Sequence, residues 1–303
     1  MKIVVLMSTY NGEKFLREQI DSLLAQTYPV EIYVRDDGST DSTQSILDEY
    51  RKNKCLEWYT GENLKPAKSF WNLVQTAPQA DYYAFCDQDD VWFPDKIERA
   101  IKRLMQEEDQ NQPLLYCSNV TVTDADLKPA SKGPDGKVDK VNTDFAHSLI
   151  YSLAPGCTMV FNAPARTEMI KYDMNKEFEI IHDWLTHKIT AMLGTVIYDS
   201  KPSMLYRQHG NNVIGAQNGG IRTLISGVKR LMTTSAGIRS GNAQSILNIY
   251  EKQLNTKNIE LLYMVANYKK NKKQKKALLH NPAFKVRKKT DFLFRVLVRM
   301  NKI

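Results

Sequence analysis

The sequence lacks several features that would otherwise direct its reading. No stretch approaches the roughly 18 uninterrupted apolar residues of a spanning helix, so none is expected. The opening Met1-Lys-Ile-Val-Val-Leu-Met-Ser holds a short apolar run broken by Ser8-Thr9-Tyr10-Asn11, which reads as a strand rather than a signal peptide. With 14 Gly and 11 Pro among 303 residues, and no internal repeat, the chain is neither collagen-like nor low-complexity. The four cysteines, Cys55, Cys86, Cys117 and Cys157, stand 31, 31 and 40 residues apart, without the close spacing of a zinc site. Three of them sit in apolar runs, as buried thiols of a reducing cytoplasm do. Phosphate cradles are missing too. No Gly-x-Gly-x-x-Gly follows the first strand, and no Gly-Lys-Ser/Thr loop occurs.

What is present is charge, unevenly divided. The net +8 comes from 42 Lys and Arg against 34 Asp and Glu. Residues 220–303 hold 19 of the cations and only 3 of the acids, a net of +16. Residues 1–219 are therefore net −8, an acidic body joined to a basic tail.

Hydrophobic periodicity alternates strand and helix through the first half. Strands are expected at Ile3–Met7, Glu31–Arg35, Leu56–Tyr59 and Asp81–Cys86. Helices follow: Glu13–Gln26, a segment capped by Thr40 or Asp41, a short one after Pro66, and one after Pro94 carrying Ile97, Ile101 and Leu104. Such alternation implies a mostly parallel sheet with helices on both faces. Later segments read as strands at Leu115–Thr123, Cys157–Phe161, Thr195–Tyr198 and Met204–Tyr206, with a loop over 128–143 and a helix at His182–Met192. From Ile221 the pattern is helical and basic, through Leu224, Val228 and Leu231, then Leu261, Leu262 and Val265.

Open α/β sheets bind ligands beyond the carboxyl ends of their strands. Asp36-Asp37-Gly38-Ser39-Thr40-Asp41 and Asp87-Gln88-Asp89-Asp90 both fall there. Taken alone, the first is good turn and cap chemistry and the second a common solvated loop. Together they suit a nucleotide. Ser8, Thr9 and Tyr10 offer backbone N–H groups and an aromatic face to a planar base, and a neighbouring carboxylate can accept a pyrimidine imide N–H. With no glycine cradle, a diphosphate needs a divalent cation, and the carboxylates of Asp87-Gln88-Asp89 are hard oxygen ligands for Mg²⁺ or Mn²⁺.

These residues resemble a known family. Val4–Asn11, Arg35–Asp41 and Phe85–Trp92 look like the sugar-nucleotide half of a family 2 glycosyltransferase with the GT-A fold. His182-Asp183-Trp184 and Tyr206-Arg207-Gln208-His209-Gly210-Asn211-Asn212 look like the acceptor half of its bacterial rhamnosyltransferase-like branch. The resemblance spans residues 1–215, divided into a nucleotide-sugar half (1–112) and an acceptor half (113–215). Residues 216–303 then form a helical, basic C-terminal extension.

The resemblance implies a base-binding loop at Ser8, Thr9 and Tyr10, a base-recognising carboxylate at Asp37 and a more structural one at Asp36. Asp87 is expected near the ribose and metal, Asp89 and His209 on the metal, and Asp183 as the base that deprotonates the acceptor hydroxyl. As a residue entering a helix, Asp183 also has the bland reading of a cap. His182 and Trp184 are expected beside the acceptor, with packing as the alternative for each, and Lys68 can meet a phosphate or simply be solvated. The family often has Glu-Asp where this chain has His182-Asp183. The implied reaction is inverting transfer from a dTDP- or UDP-sugar, dTDP-L-rhamnose first, to a lipid-linked glycan. A sugar-nucleotide nucleotidyltransferase would want a basic glycine-rich loop that is absent; a non-catalytic scaffold with a degenerate site is the alternative from another class.

Ten cations between Lys269 and Lys289 invite an anionic partner. The following Phe292–Met300 stretch is too short to span but suits an interfacial helix. Without a nucleic-acid-reading motif, peripheral contact with the inner face of the cell membrane is expected, against the alternative of a docked helix with a solvated face.

Overall fold

The computed structural model describes residues 1–129, 141–177, 180–209, 237–285 and 288–303. Most of the 128–143 loop, the Gly210-Asn211-Asn212 turn, the helical reading at Leu224, Val228 and Leu231, and Arg287 lie outside the described residues.

Four strand–helix units open the chain: β1 (Ile3–Thr9), α1 (Leu16–Leu24), β2 (Glu31–Asp36), α2 (Thr43–Lys52), β3 (Glu57–Thr60), α3 (Lys65–Thr76), β4 (Tyr82–Cys86) and α4 (Lys96–Leu104), with a two-residue β5 (Val91–Trp92) before α4. The second half supplies β6 (Leu114–Thr123), α5 (Phe145–Ser148), β7 (Val160–Asn162), α6 (Ala163–Ile170), α7 (His182–Leu193) and β8 (Thr195–Arg207). Helices at Ile238–Tyr250, Thr256–Asn267, Lys272–His280 and Lys288–Arg299 follow. The eight strands form one mixed sheet in the order β3-β2-β1-β4-β7-β6-β8-β5. β1 to β4 are mutually parallel and β8 runs parallel to β6, while β7 and β5 pair antiparallel with their neighbours.

A sheet covered on both faces needs strands that are apolar on both. β1 meets this with Ile3, Val5 and Met7 in one core and Val4 and Leu6 in the other. The first core is closed by α1, α2 and α4, whose inward residues repeat at helical spacing, as in Ile97, Ile101 and Leu104. The second is closed by α3, α5, α6 and α7. The C-terminal helices join this second core through Ile246, Leu247, Tyr250, Leu262 and Val265.

Three expected elements are corrected. Cys157–Phe161 is not one strand: Gly156–Thr158 makes a 3₁₀ turn in which the Thr158 amide donates to Pro155 O (3.0 Å), and β7 starts at Val160. The two short strands around Pro202 are a single strand. Proline is tolerated there because the β6–β8 register is irregular around Asn119 and Pro202, so its missing N–H falls at a break in the ladder. The second helix starts after Ser42, not Thr40 or Asp41, although Asp41 Oδ1 still accepts from the Thr43 amide at 3.0 Å.

Parallel register brings the acidic clusters together. At the end of β1, Thr9 pairs with Asp36 of β2 and Met7 with Cys86 of β4. β5 then pairs with β8 (Val91 with Leu205, Trp92 with Met204), which carries the residues after β8 onto the loop after β4.

Candidate active site

The first wall of the site is the loop after β1. Thr9 Oγ1 donates to Asp36 Oδ1 (2.9 Å), and the amides of Asp37 and Ser39 donate to Thr9 O (2.8 Å) and Asp36 Oδ2 (2.8 Å). Gln44 Nε2 also reaches Asp36 Oδ2 at 2.9 Å, so the fully buried Asp36 is a hub holding β1 to the turn after β2. Asp37 is buried as well. Its carboxylate pairs with Arg35 and accepts from the Leu64 amide at 3.1 Å. Ser8 Oγ lies 2.7 Å from Ser69 Oγ, which also accepts from Arg35, while Tyr10 is exposed. Lys68 sits half-buried in the first turn of α3 and forms no ion pair among the described residues.

Gln88, the central residue of Asp-Gln-Asp, ties this wall to the next. Its Oε1 accepts from the Tyr10 amide (2.9 Å) and its Nε2 donates to Tyr10 O (3.1 Å). Gly12 makes the clamp possible, because a Cβ there would stand 2.3 Å from Gln88 Oε1.

The second wall is carboxylate-rich. Asp89 Oδ2 lies 2.7 Å from His209 Nε2, bringing together the two residues expected on the metal. Asp90 Oδ1 accepts from the Arg207 amide (3.0 Å), whereas its Oδ2 is buried without a hydrogen-bond partner among the described residues. One carboxylate oxygen each from Asp87 and Asp90 lies with Cys157 Sγ in a group whose members are within 4.8 Å of one another. Burial, with the charge of Asp89 added, pushes Asp87 up to about 7. Burial also raises Asp90 well above the carboxylate range, with Asp87 and Asp89 adding to it. Beneath them lies the buried Lys96, lowered to about 8 by burial, donating from Nζ to Cys157 O (2.5 Å).

The third wall is the entry to α7. Asp183 is partly exposed in the first turn, and its Oδ1 accepts from the Trp184 amide at 2.5 Å; Ile181 is the cap residue. Burial raises Asp183 to about 6, and its charge adds to the rise at Asp87, so the two carboxylates lie near one another. His182 instead points into the core. It stacks on Phe70 with centroids 4.1 Å apart, meets Phe85 edge-on, and is lowered to about 3 by burial. Trp184 lies against two basic side chains, with Lys188 Nζ 4.1 Å from its ring centroid and Arg239 5.2 Å from it, and donates from Nε1 to Ser148 O (2.5 Å).

The chain that carries this carboxylate cluster has clear relatives. Residues 4–155 match the family described as Glycosyl transferase family 2. The dTDP-rhamnosyl transferase RfbG of Shigella flexneri is 33% identical over 227 residues, which cover 69% of this chain and 74% of that protein. This chain belongs to glycosyltransferase family 2. An uncharacterized glycosyltransferase of Rickettsia typhi is 31% identical over 209 residues, 68% of this chain and 64% of its own length. Among solved structures, S. aureus TarS (residues 1–349) in complex with UDP-GlcNAc superposes with a TM-score of 0.59 at 18% identity, covering 100% of this chain and 88% of that one. The mannosyltransferase PcManGT of Pyrobaculum calidifontis, in complex with GDP-Man and Mn²⁺, gives 0.53 at 15% identity with the same coverage. At such identities the likeness is one of fold: the GT-A arrangement.

Several residues that hold the candidate site of this family 2 glycosyltransferase in place carry no motif of their own. Arg207, buried, holds the acidic loop: Nε donates to Asp89 O (2.7 Å), Nη1 to Ala125 O (2.5 Å), and Nη2 pairs with Glu18. Its guanidinium also lies 4.4 Å from the Phe15 ring centroid. The signal for Lys96 was available, since it shares the inward face of α4 with Ala100 and Ile101. No local pattern marks Gly156, where a Cβ would stand 2.5 Å from His182 Nε2 and 3.3 Å from Asp183 Cβ.

Proposed function

We propose that this enzyme transfers a sugar with inversion from a nucleoside-diphosphate sugar, dTDP-L-rhamnose first among candidates, to a hydroxyl of a lipid-linked cell-surface glycan, with Mg²⁺ or Mn²⁺ as cofactor. The observation that carries this reading is Asp183, a partly exposed carboxyl raised to about 6 and close enough to the Asp87–Asp90 loop for its charge to raise Asp87. At neutral pH such a group is ionised and close enough in pKa to its surroundings to accept a proton.

The acidic loop fits a hard divalent cation. Its buried carboxylates raise one another's pKa, and Asp90 Oδ2 is left without a partner among the described residues. Asp87, Asp89 and His209 would hold the ion, which when bound offsets the charge of the donor's diphosphate. Tyr10 would stack on the base, and Ser8 and Thr9 would line it. The Asp37 carboxylate, paired with Arg35, would meet the pyrimidine edge in a fixed orientation, and Lys68 would reach the phosphate side of the donor. Trp184 would form the acceptor wall, with His182 packed behind it.

In the transfer the acceptor oxygen bonds to the sugar C1 as the C1–O bond to the diphosphate breaks. The hydroxyl proton passes to the Asp183 carboxylate, and the nucleoside diphosphate departs with the bonding pair. The relation to the Shigella dTDP-rhamnosyl transferase supports dTDP-L-rhamnose as the donor to test first. Donor hydrolysis across a panel of nucleotide sugars tests that choice. Asp183→Asn is expected to abolish transfer and keep donor affinity; loss of donor affinity as well would undo the assignment of Asp183 as base.

A further inference from the structure

The basic extension is folded in a way that changes what its charge can do. Helices Lys272–His280 and Lys288–Arg299 lie antiparallel. Lys275 Nζ donates to Arg299 O (2.7 Å) and Asn301 Oδ1 (2.9 Å), and Arg295 Nη1 donates to Leu279 O (2.5 Å). The apolar residues expected to enter a bilayer mostly point inward: Phe294, Leu297 and Val298 are buried in the second core with Leu278 and Phe284. An interfacial helix sunk by its apolar face is therefore ruled out for the docked hairpin.

What remains outside is cationic. Lys269, Lys270, Lys272, Lys273 and Lys276 are exposed and form no ion pair among the described residues. Between residues 261 and 303 the sequence has 13 Lys and Arg against a single acid, Asp291. Phe292, 68% exposed, is the most exposed large apolar residue among those described, and Met300 is 42% exposed. These two stand on or beside the second helix of the same hairpin.

We infer that this hairpin is a rigid electrostatic docking surface for an anionic phospholipid bilayer, held by its lysines, with Phe292 and Met300 as shallow apolar contacts. A clustered set of lysines is attracted to anionic headgroups within about a Debye length, roughly 8 Å at physiological salt. Exposed apolar side chains on the same hairpin favour a lipid interface over nucleic acid, for which the sequence carries no base-reading motif. The inference rests on the hairpin alone and not on the transfer chemistry.

Co-sedimentation of the full chain tests it. One set of vesicles is phosphatidylcholine alone; the other is phosphatidylcholine and phosphatidylglycerol in equal parts. Binding is expected only to the anionic vesicles, lost in high salt, and weakened about a hundredfold by the combined Lys272→Gln, Lys273→Gln and Lys276→Gln changes. Phe292→Ser is expected to weaken it by a smaller factor. Donor hydrolysis by the triple variant in vesicle-free buffer is expected to match the parent, which keeps this test separate from that of the active site. Equal binding to neutral vesicles, full binding by the triple variant, or displacement from anionic vesicles by RNA at low concentration would each overturn the inference.

Discussion

The two sides of the candidate site are stiffened by different physics. On the β1–β2 side, proposed to hold the donor, short side chains reach backbone amides close by in space. Asp36 gathers Thr9, Ser39 and Gln44, while Gln88 clamps both polar groups of Tyr10. Each bond is an ordinary one of about 1 kcal/mol, but together they fix the loop, with the Tyr10 amide held by Gln88 and the Asn11 amide by Ser39, before a ligand arrives. On the α7 side, proposed to meet the acceptor, Asp183 is placed by packing. His182 is wedged against Phe70 and Phe85, Gly156 passes close beneath, and Trp184 is gripped by Lys188 and Arg239. Lys188 is fully buried, lowered far from its ordinary value by burial, and donates to Asn242, which in turn donates to Tyr172 OH at 2.9 Å. The wall around Trp184, proposed to meet the acceptor, therefore depends on Arg239 and Asn242, residues of the C-terminal extension. A hydrogen-bonded loop tolerates small errors locally. A packed wall passes them on.

The largest effect should come from disturbing the packed side at one point. In Gly156→Ala the new Cβ meets His182 Nε2 at 2.5 Å, within a ring fixed in the core. Asp183 must shift, and turnover should fall about 10²-fold, as an ångström-scale misplacement does, with donor affinity retained in a nucleotide-binding titration. A parallel loss of donor affinity would show that the two sides are not independent. Acidification is a milder probe of the same group. Asp183 carries the proton below about 6 and accepts one above it, so the transfer rate should drop about tenfold per pH unit below that point. A pH–rate profile for sugar transfer to the acceptor that stays flat between about pH 5 and pH 7 would break the assignment.

The mirror change on the donor side is Gly12→Ala, whose Cβ would meet Gln88 Oε1 at 2.3 Å. Here the obstacle ends a flexible side chain that can turn away, so the expected result is a several-fold higher KM for the donor with kcat largely kept. The smallest effect on chemistry should come from Asn242→Ala. It leaves the Lys188 amine buried without its acceptor, at a cost of about 1–3 kcal/mol in unfolding free energy, readable as a lowered Tm. Donor affinity unchanged alongside weaker acceptor use would place the extension with the acceptor wall; an unchanged Tm would remove it.

Much of the donor side was legible because its determinants are local. A β-branched run ending in Ser8-Thr9-Tyr10, and carboxylates directly after two further strands, are adjacent in sequence to the elements that present them. Parallel pairing then needed only the ordinary strand order to bring them together. Gln88 was hidden because nothing about a glutamine between two aspartates says that its amide turns back 78 residues to Tyr10. Asp183 was legible as a residue type in a motif, but the groups that place it were not. Lys188 and Asn242 are 54 residues apart, and a lysine within a helical pattern reads as surface until packing closes over it.

The tail divides the same way. Its charge, the −8 body against the +16 extension, belongs to the sequence alone, since no folding alters the count. The same holds for the strand–helix alternation and the acidic residues at strand ends, because period and spacing are properties of the chain. Which apolar residues face the core was decided only by tertiary structure. Phe294, Leu297 and Val298 turn inward because the second core offers more apolar contact than solvent does, leaving Phe292 and the lysines outside. His209 over Asp89, Gly156 under Asp183 and Arg239 against Trp184 were decided in the same way. Each is a contact between distant segments whose geometry exists only once the sheet and its helices have closed.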